Sequence, residues 1–153
     1  FVEAYEIARS LGLRAVAHAG EEGPPEYVWN ALDILGVERI DHGVRSLEDP
    51  DLVARLVRER VPLTVCPLSN VALKVVDGLE DHPLPRMMKA GLLVSVNSDD
   101  PAYFGGYVGD NYRGLADVLG FGGEELTRRA RNSIESSFLT ADRKAEILGL
   151  LPR

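Results

Sequence analysis

Four short apolar runs, each followed at once by polar side chains and set apart by helical stretches, restrict what this chain can fold into. The runs are Arg14–His18, Val37–Asp41, Pro62–Cys66 and Leu92–Val96. Each is too brief for a buried helix and reads as a strand. Helical spacing fills the gaps. Phe1–Leu11 carries apolar or small residues at Val2, Tyr5, Ile7, Ala8 and Leu11 and closes at Gly12. A proline-started helix follows Pro24-Pro25 to about Leu35 and ends at Gly36. Leu52, Val53, Leu56 and Val57 form a stripe behind the N-cap candidates Ser46 and Asp49, and Pro83–Ala90 stops at Gly91. From Asn111 onward the pattern is helical, with breaks expected at Gly120–Gly123, Asn132–Ser133 and Thr140. Strands alternating with helices predict a parallel α/β sheet, and right-handed crossovers order its strands sequentially around a curve.

Composition narrows the function classes. A chain of 153 residues with 45% hydrophobic content can bury a core and is expected as one domain over residues 1–153. Its net charge of -7 would repel phosphate backbones, which argues against nucleic acid as a partner. No apolar run approaches the ~20 residues of a membrane helix. Cys66 is the single cysteine, so a disulfide within the chain is excluded and a reducing, cytoplasmic setting is expected. A chain that opens on Phe1 is expected to be processed or part of something longer.

The polar clusters sit where strands end. In a parallel α/β barrel those ends converge on one mouth, which holds the catalytic groups. His18 ends the first strand and Asp99 follows the fourth; imidazole nitrogen with carboxylate oxygen suits zinc. Glu21 stands three residues after His18, beyond Gly20, where a backbone turn can send its carboxylate back as a proton donor. His42 ends the second strand and could orient or deprotonate a water. Asp100, beside Asp99, must point elsewhere, which fits one carboxylate on metal and the other on substrate. Taken singly, a histidine at a strand end is more often structural, and Asp-Asp-Pro is ordinary turn chemistry. Their conjunction after strands of one repeating pattern raises the weight.

Other residues read as structural. His82 belongs to a loop before a proline-started helix, Cys66 to the core, and Trp29 with Leu32 to core packing. Arg128, Arg129 and Arg131 read as a solvated helix face, while Glu124 and Glu125 suit the positive end of a helix. Ser69 and Asn70 close the third strand and could line a pocket, and Asn97–Asp110 is the longest weakly patterned loop.

Through His18-Ala19-Gly20-Glu21, His42-Gly43 and Asp99-Asp100-Pro101, in that order, the sequence resembles the adenosine/adenine deaminase family of zinc hydrolases. The resemblance runs from about Val16 to Tyr112. Val65–Asn70 and Tyr103–Tyr107 look like the bacterial and fungal adenine-specific branch. It implies a TIM-barrel fold in which this chain supplies strands five to eight and C-terminal helices, with His18 and Asp99 on Zn2+. It further implies that Glu21 protonates N1 of the purine, His42 steers the water, and Asp100 holds N7, giving hypoxanthine and ammonia in purine salvage. The His-x-His that the family places on its first barrel strand is absent, and a whole barrel needs about 250 residues. The expectation is therefore a C-terminal half-barrel with open edges near Arg14–His18 and Leu92–Val96, which pairs with a missing N-terminal half or self-associates. Two alternatives stand beside it. One is a deaminase of adenosine or another 6-substituted purine; the other is a non-catalytic half-barrel assembly module.

Overall fold

Proline and glycine punctuate this chain, and the elements begin and end on them. The computed structural model describes residues 1–152. In chain order these are α1 (Val2–Ser10), β1 (Val16–Ala19), α2 (Pro25–Asp33), β2 (Arg39–His42), α3 (Pro50–Glu59), β3 (Pro62–Val65), α4 (Pro67–Ala72), α5 (Leu84–Lys89), β4 (Leu93–Val96), α6 (Pro101–Phe104), α7 (Val108–Leu119), α8 (Gly123–Glu135) and α9 (Ala141–Leu148). Two 3₁₀ turns, Val44–Glu48 and Leu79–Asp81, complete the set. The sheet has the order β1-β2-β3-β4, with β1/β2 and β2/β3 parallel. This is the α/β alternation that the sequence predicts.

The chain divides into two units. The first comprises residues 1–65 and 83–93. Its register pairs Val16 with Arg39, Ala19 with His42 and Ile40 with Leu63. Ile40, Leu52, Leu56, Leu63, Leu84 and Met87 are fully buried and form the core. Burial of each such side chain is worth about 1.5–3 kcal/mol. Tyr5 Oη donates to the Val16 carbonyl at 2.7 Å and ties α1 to β1.

Of the two cap candidates, only Asp49 caps α3, accepting from Asp51 N and Leu52 N. Ser46 lies buried inside the 3₁₀ turn instead. Trp29 is not a simple core residue. It is half-buried, donates from Nε1 to Asp49 Oδ2 at 2.8 Å, and carries the Arg55 guanidinium 5.0 Å over its ring. Those bonds from Trp29 and the helix backbone hold the Asp49 carboxyl below its ordinary range.

The second unit comprises residues 66–82 and 94–152. Leu79, Val94, Val96 and Leu115 are buried there. Helix α8 runs through Asn132–Ser133 without the expected break. Asn132 Nδ2 donates to the Val94 carbonyl at 2.8 Å, and this tertiary bond outweighs a weak helix propensity. Arg129 likewise departs from the solvated face expected of it. It is 3% exposed, on the inner side of α8, and burial lowers the pKa of its guanidinium. The short helices α4 and α6 fall where the sequence predicts a strand end and a loop. Each is started by a proline at its first position, Pro67 and Pro101.

Candidate active site

In the first unit, the ends of β1 and β2 bring three of the expected groups together. His42 closes β2 with φ 72°, a left-handed backbone that non-glycine residues adopt rarely, and Gly43 continues it at φ 70°. That turn directs the imidazole along the strand ends. His42 Nε2 lies 2.9 Å from His18 Nδ1, and His42 Nδ1 lies 3.2 Å from Glu21 Oε1. Gly20, at φ 67°, supplies the backbone turn that returns Glu21 toward the histidines. An alanine there would meet Val28 Cγ2 at 2.7 Å.

Burial grades along this series. His42 is 1% exposed, the Glu21 side chain 16% and the His18 side chain 71%. One proton is shared between His42 Nε2 and His18 Nδ1, and the tautomer decides which ring donates it. Asp41 stands beneath, accepting from Thr64 Oγ1 at 2.7 Å, with its other oxygen 3.9 Å from His18 Nε2.

The second unit carries the carboxylates that follow β4. Asp99 also has a left-handed backbone, φ 59°, and its Oδ2 accepts from the buried Ser69 hydroxyl at 2.8 Å. Asp100 turns to a different task. Its Oδ1 accepts from Ala102 N at 3.0 Å and Tyr103 N at 2.9 Å, capping α6. The neighbours therefore diverge, as the sequence requires of adjacent residues.

Beside them, Asn70 is buried with its Oδ1 3.1 Å from His82 Nε2. Burial pushes His82 down to about 4, so this histidine is neutral near pH 7 and structural, though more enclosed than a loop position implies. Sequence reasoning missed Asn111. Its Oδ1 accepts from Leu68 N at 3.0 Å and its Nδ2 donates to the Tyr107 carbonyl at 3.1 Å. The available signal was a helix at Pro67 preceded by Cys66, a residue that does not cap it.

His18, in β1, offers an imidazole nitrogen and Asp99, after β4, a carboxylate oxygen, donor types that suit zinc. The arrangement sets a carboxylate and two imidazoles within reach of a shared proton.

Comparison with known proteins extends this geometry. A family model described as adenosine deaminase matches residues 1–152. An adenine deaminase of Streptomyces coelicolor is 68% identical over 142 residues, covering 93% of this chain and 42% of the relative. One of Hahella chejuensis is 54% identical over 151 residues, covering 99% of this chain and 45% of that protein. The chain thus spans less than half the length of these curated relatives. Among solved structures, an adenine deaminase from Arthrobacter aurescens superposes with a TM-score of 0.96 at 60% identity, over 97% of this chain and 46% of that one. An amidohydrolase from Burkholderia ambifaria with bound Zn gives 0.89 at 30% identity, over 98% of this chain and 42% of that one. The α/β fold of this chain is of the same TIM-barrel type.

Proposed function

The chain belongs to the adenosine deaminase family, and we propose that it is the C-terminal half of a zinc-dependent barrel that hydrolyses adenine to hypoxanthine and ammonia. The observation that carries the reading is the bonded series Glu21–His42–His18 across the ends of two parallel strands. A purely structural module gains nothing from a buried imidazole held in a left-handed backbone between a carboxylate and a second imidazole. The substrate follows the relatives, which at 54–68% identity carry the name adenine deaminase.

In this reading His18 and Asp99 would hold the metal, with further ligands supplied by the half of the barrel that this chain lacks. Zinc held there would supply hydroxide near neutral pH by lowering the pKa of water from 15.7 to about 7. His42 orients the attacking water toward C6 of the purine and stabilises the charge that water acquires. A protonated Glu21 would deliver its proton to N1 as the C6–O bond forms, and His42 would take the proton that the water loses; passed on to the N6 amino group, it lets the C6–N6 bond break and ammonia leave. Asp100 would accept at Oδ2 the N7–H of the base's 7H tautomer, because its Oδ1 is committed to the α6 cap.

A small purine base is the ligand, and the net charge of -7 disfavours nucleic acid. The outer edges of β1 and β4 are the seams to the missing half or, in its absence, to a second copy. No described helix is long and apolar enough to cross a membrane. The single cysteine, Cys66, is buried outside any disulfide, which suits the reducing cytoplasm.

The test is ammonia release by the whole zinc-loaded protein from adenine, with adenosine in parallel. Release from adenine supports the reading. Faster release from adenosine moves the substrate to the nucleoside, and none from either base or nucleoside overturns deamination.

A further inference from the structure

Asn111 performs no chemical step in this mechanism, yet it is fully buried and bonded at both ends of its amide. One end serves α4. That helix has no side-chain cap of its own, because Cys66 stands at its N-cap position. Asn111 Oδ1 accepts the Leu68 N–H at 3.0 Å, and so caps α4 from 43 residues away in the chain. Ser69, the next residue of α4, donates to Asp99 Oδ2 at 2.8 Å. The other end of Asn111 holds the Tyr107 carbonyl at 3.1 Å, while Tyr107 N donates to Asp110 Oδ2 at 2.7 Å. Tyr107 closes the loop that Asp99 opens.

These bonds make a closed circuit within the second unit. It runs from Ser69 to Asp99, along the loop to Tyr107, through the Asn111 amide to Leu68, and back to Ser69. Asp99 lies inside that circuit at φ 59°, a backbone conformation that persists only where the surroundings hold it. An amide can close the circuit because it both accepts and donates; neither a carboxylate nor an aliphatic side chain can.

We propose that Asn111 is a positioning residue that sets the direction of the Asp99 carboxylate, acting through Leu68 and Ser69. The inference rests on Asp99 being a metal ligand. Partners that orient a ligand from behind typically change metal affinity by 10–100-fold when removed. A merely structural cap would change the stability of α4 and leave the metal unaffected.

The test uses the whole protein with Asn111→Ala and Asn111→Asp. The second is nearly isosteric and keeps an acceptor for Leu68 N while losing the donor to Tyr107. Zinc affinity is read by chelator competition, ligand geometry by the visible spectrum of the cobalt-substituted protein, and folding by the melting temperature without metal. Asn111→Ala is expected to weaken zinc binding by roughly 10–100-fold and shift the cobalt bands, with Asn111→Asp between it and the native protein. Should Asn111→Ala fail to fold, Asn111→Asp decides. Native affinity and an unshifted cobalt spectrum in the folded variants overturn the inference, whatever the melting temperature does. A native protein that binds no zinc overturns the metal reading as well, so the two failures are told apart.

Discussion

Three histidines occupy three different surroundings in this chain, and their roles follow. His18 is exposed, and His42 is buried between Glu21 and His18. His82 is enclosed beside Asn70. Burial lowers His82 from 6.5 to about 4, so the native state refuses a proton that the unfolded chain accepts. Because the folded value lies below the unfolded one, stability is intact above about pH 6.5 and falls as pH drops toward 4. The shift corresponds to a loss of about 3 kcal/mol across that window. Urea unfolding of the native protein and of His82→Gln between pH 7 and 4 checks this. The variant should lose most of the slope, and equal slopes would assign the acid sensitivity elsewhere. The positions of His18, Glu21, His42, Asp99 and Asp100 at or just beyond strand ends are legible in the sequence, because short motifs mark them. The Ser69–Asp99 bond, the Asn111 bridge and the burial of Arg129 are not, since each depends on packing between segments distant in the chain.

Among the elements, the alternation of strand and helix is legible because glycine and proline mark nearly every boundary. The strands of the structure lie a residue or two away from the predicted runs, and α4 and α6 are too short for periodicity to reveal. Register, by contrast, depends on contacts such as the one at Gly43. A Cβ there would stand 2.9 Å from Leu63 Cδ2 while the backbone keeps φ 70°. Gly43→Ala is therefore expected to destabilise the protein by about 1–3 kcal/mol, from left-handed strain and overpacking together. An unchanged urea midpoint would mean that Leu63 yields freely. Leu56, fully buried on α3, offers a calibration. Leu56→Ala should cost about 2–5 kcal/mol in the same measurement.

At the scale of the molecule, the features that stay unpaired are those a half-barrel would leave. Val2, Ile7, Leu11 and Leu13 are exposed apolar residues around α1 and the approach to β1, and the relatives are more than twice as long as this chain. Sedimentation of residues 1–153 alone should show self-association that a separately produced N-terminal half relieves; a stable monomer would contradict the open-edge account. Family and fold could be read from the sequence at this scale, because three motifs in order are specific. The division into two units could not, since apolar patterning marks what is buried and not which segments bury one another.

The most direct test of the central claim is Glu21→Gln in the whole protein, with adenine turnover and zinc content measured on the same preparation. A deaminase that draws its proton from Glu21 should lose turnover by roughly 10²–10⁴-fold at unchanged zinc content. Undiminished turnover at equal zinc would contradict the proposed mechanism.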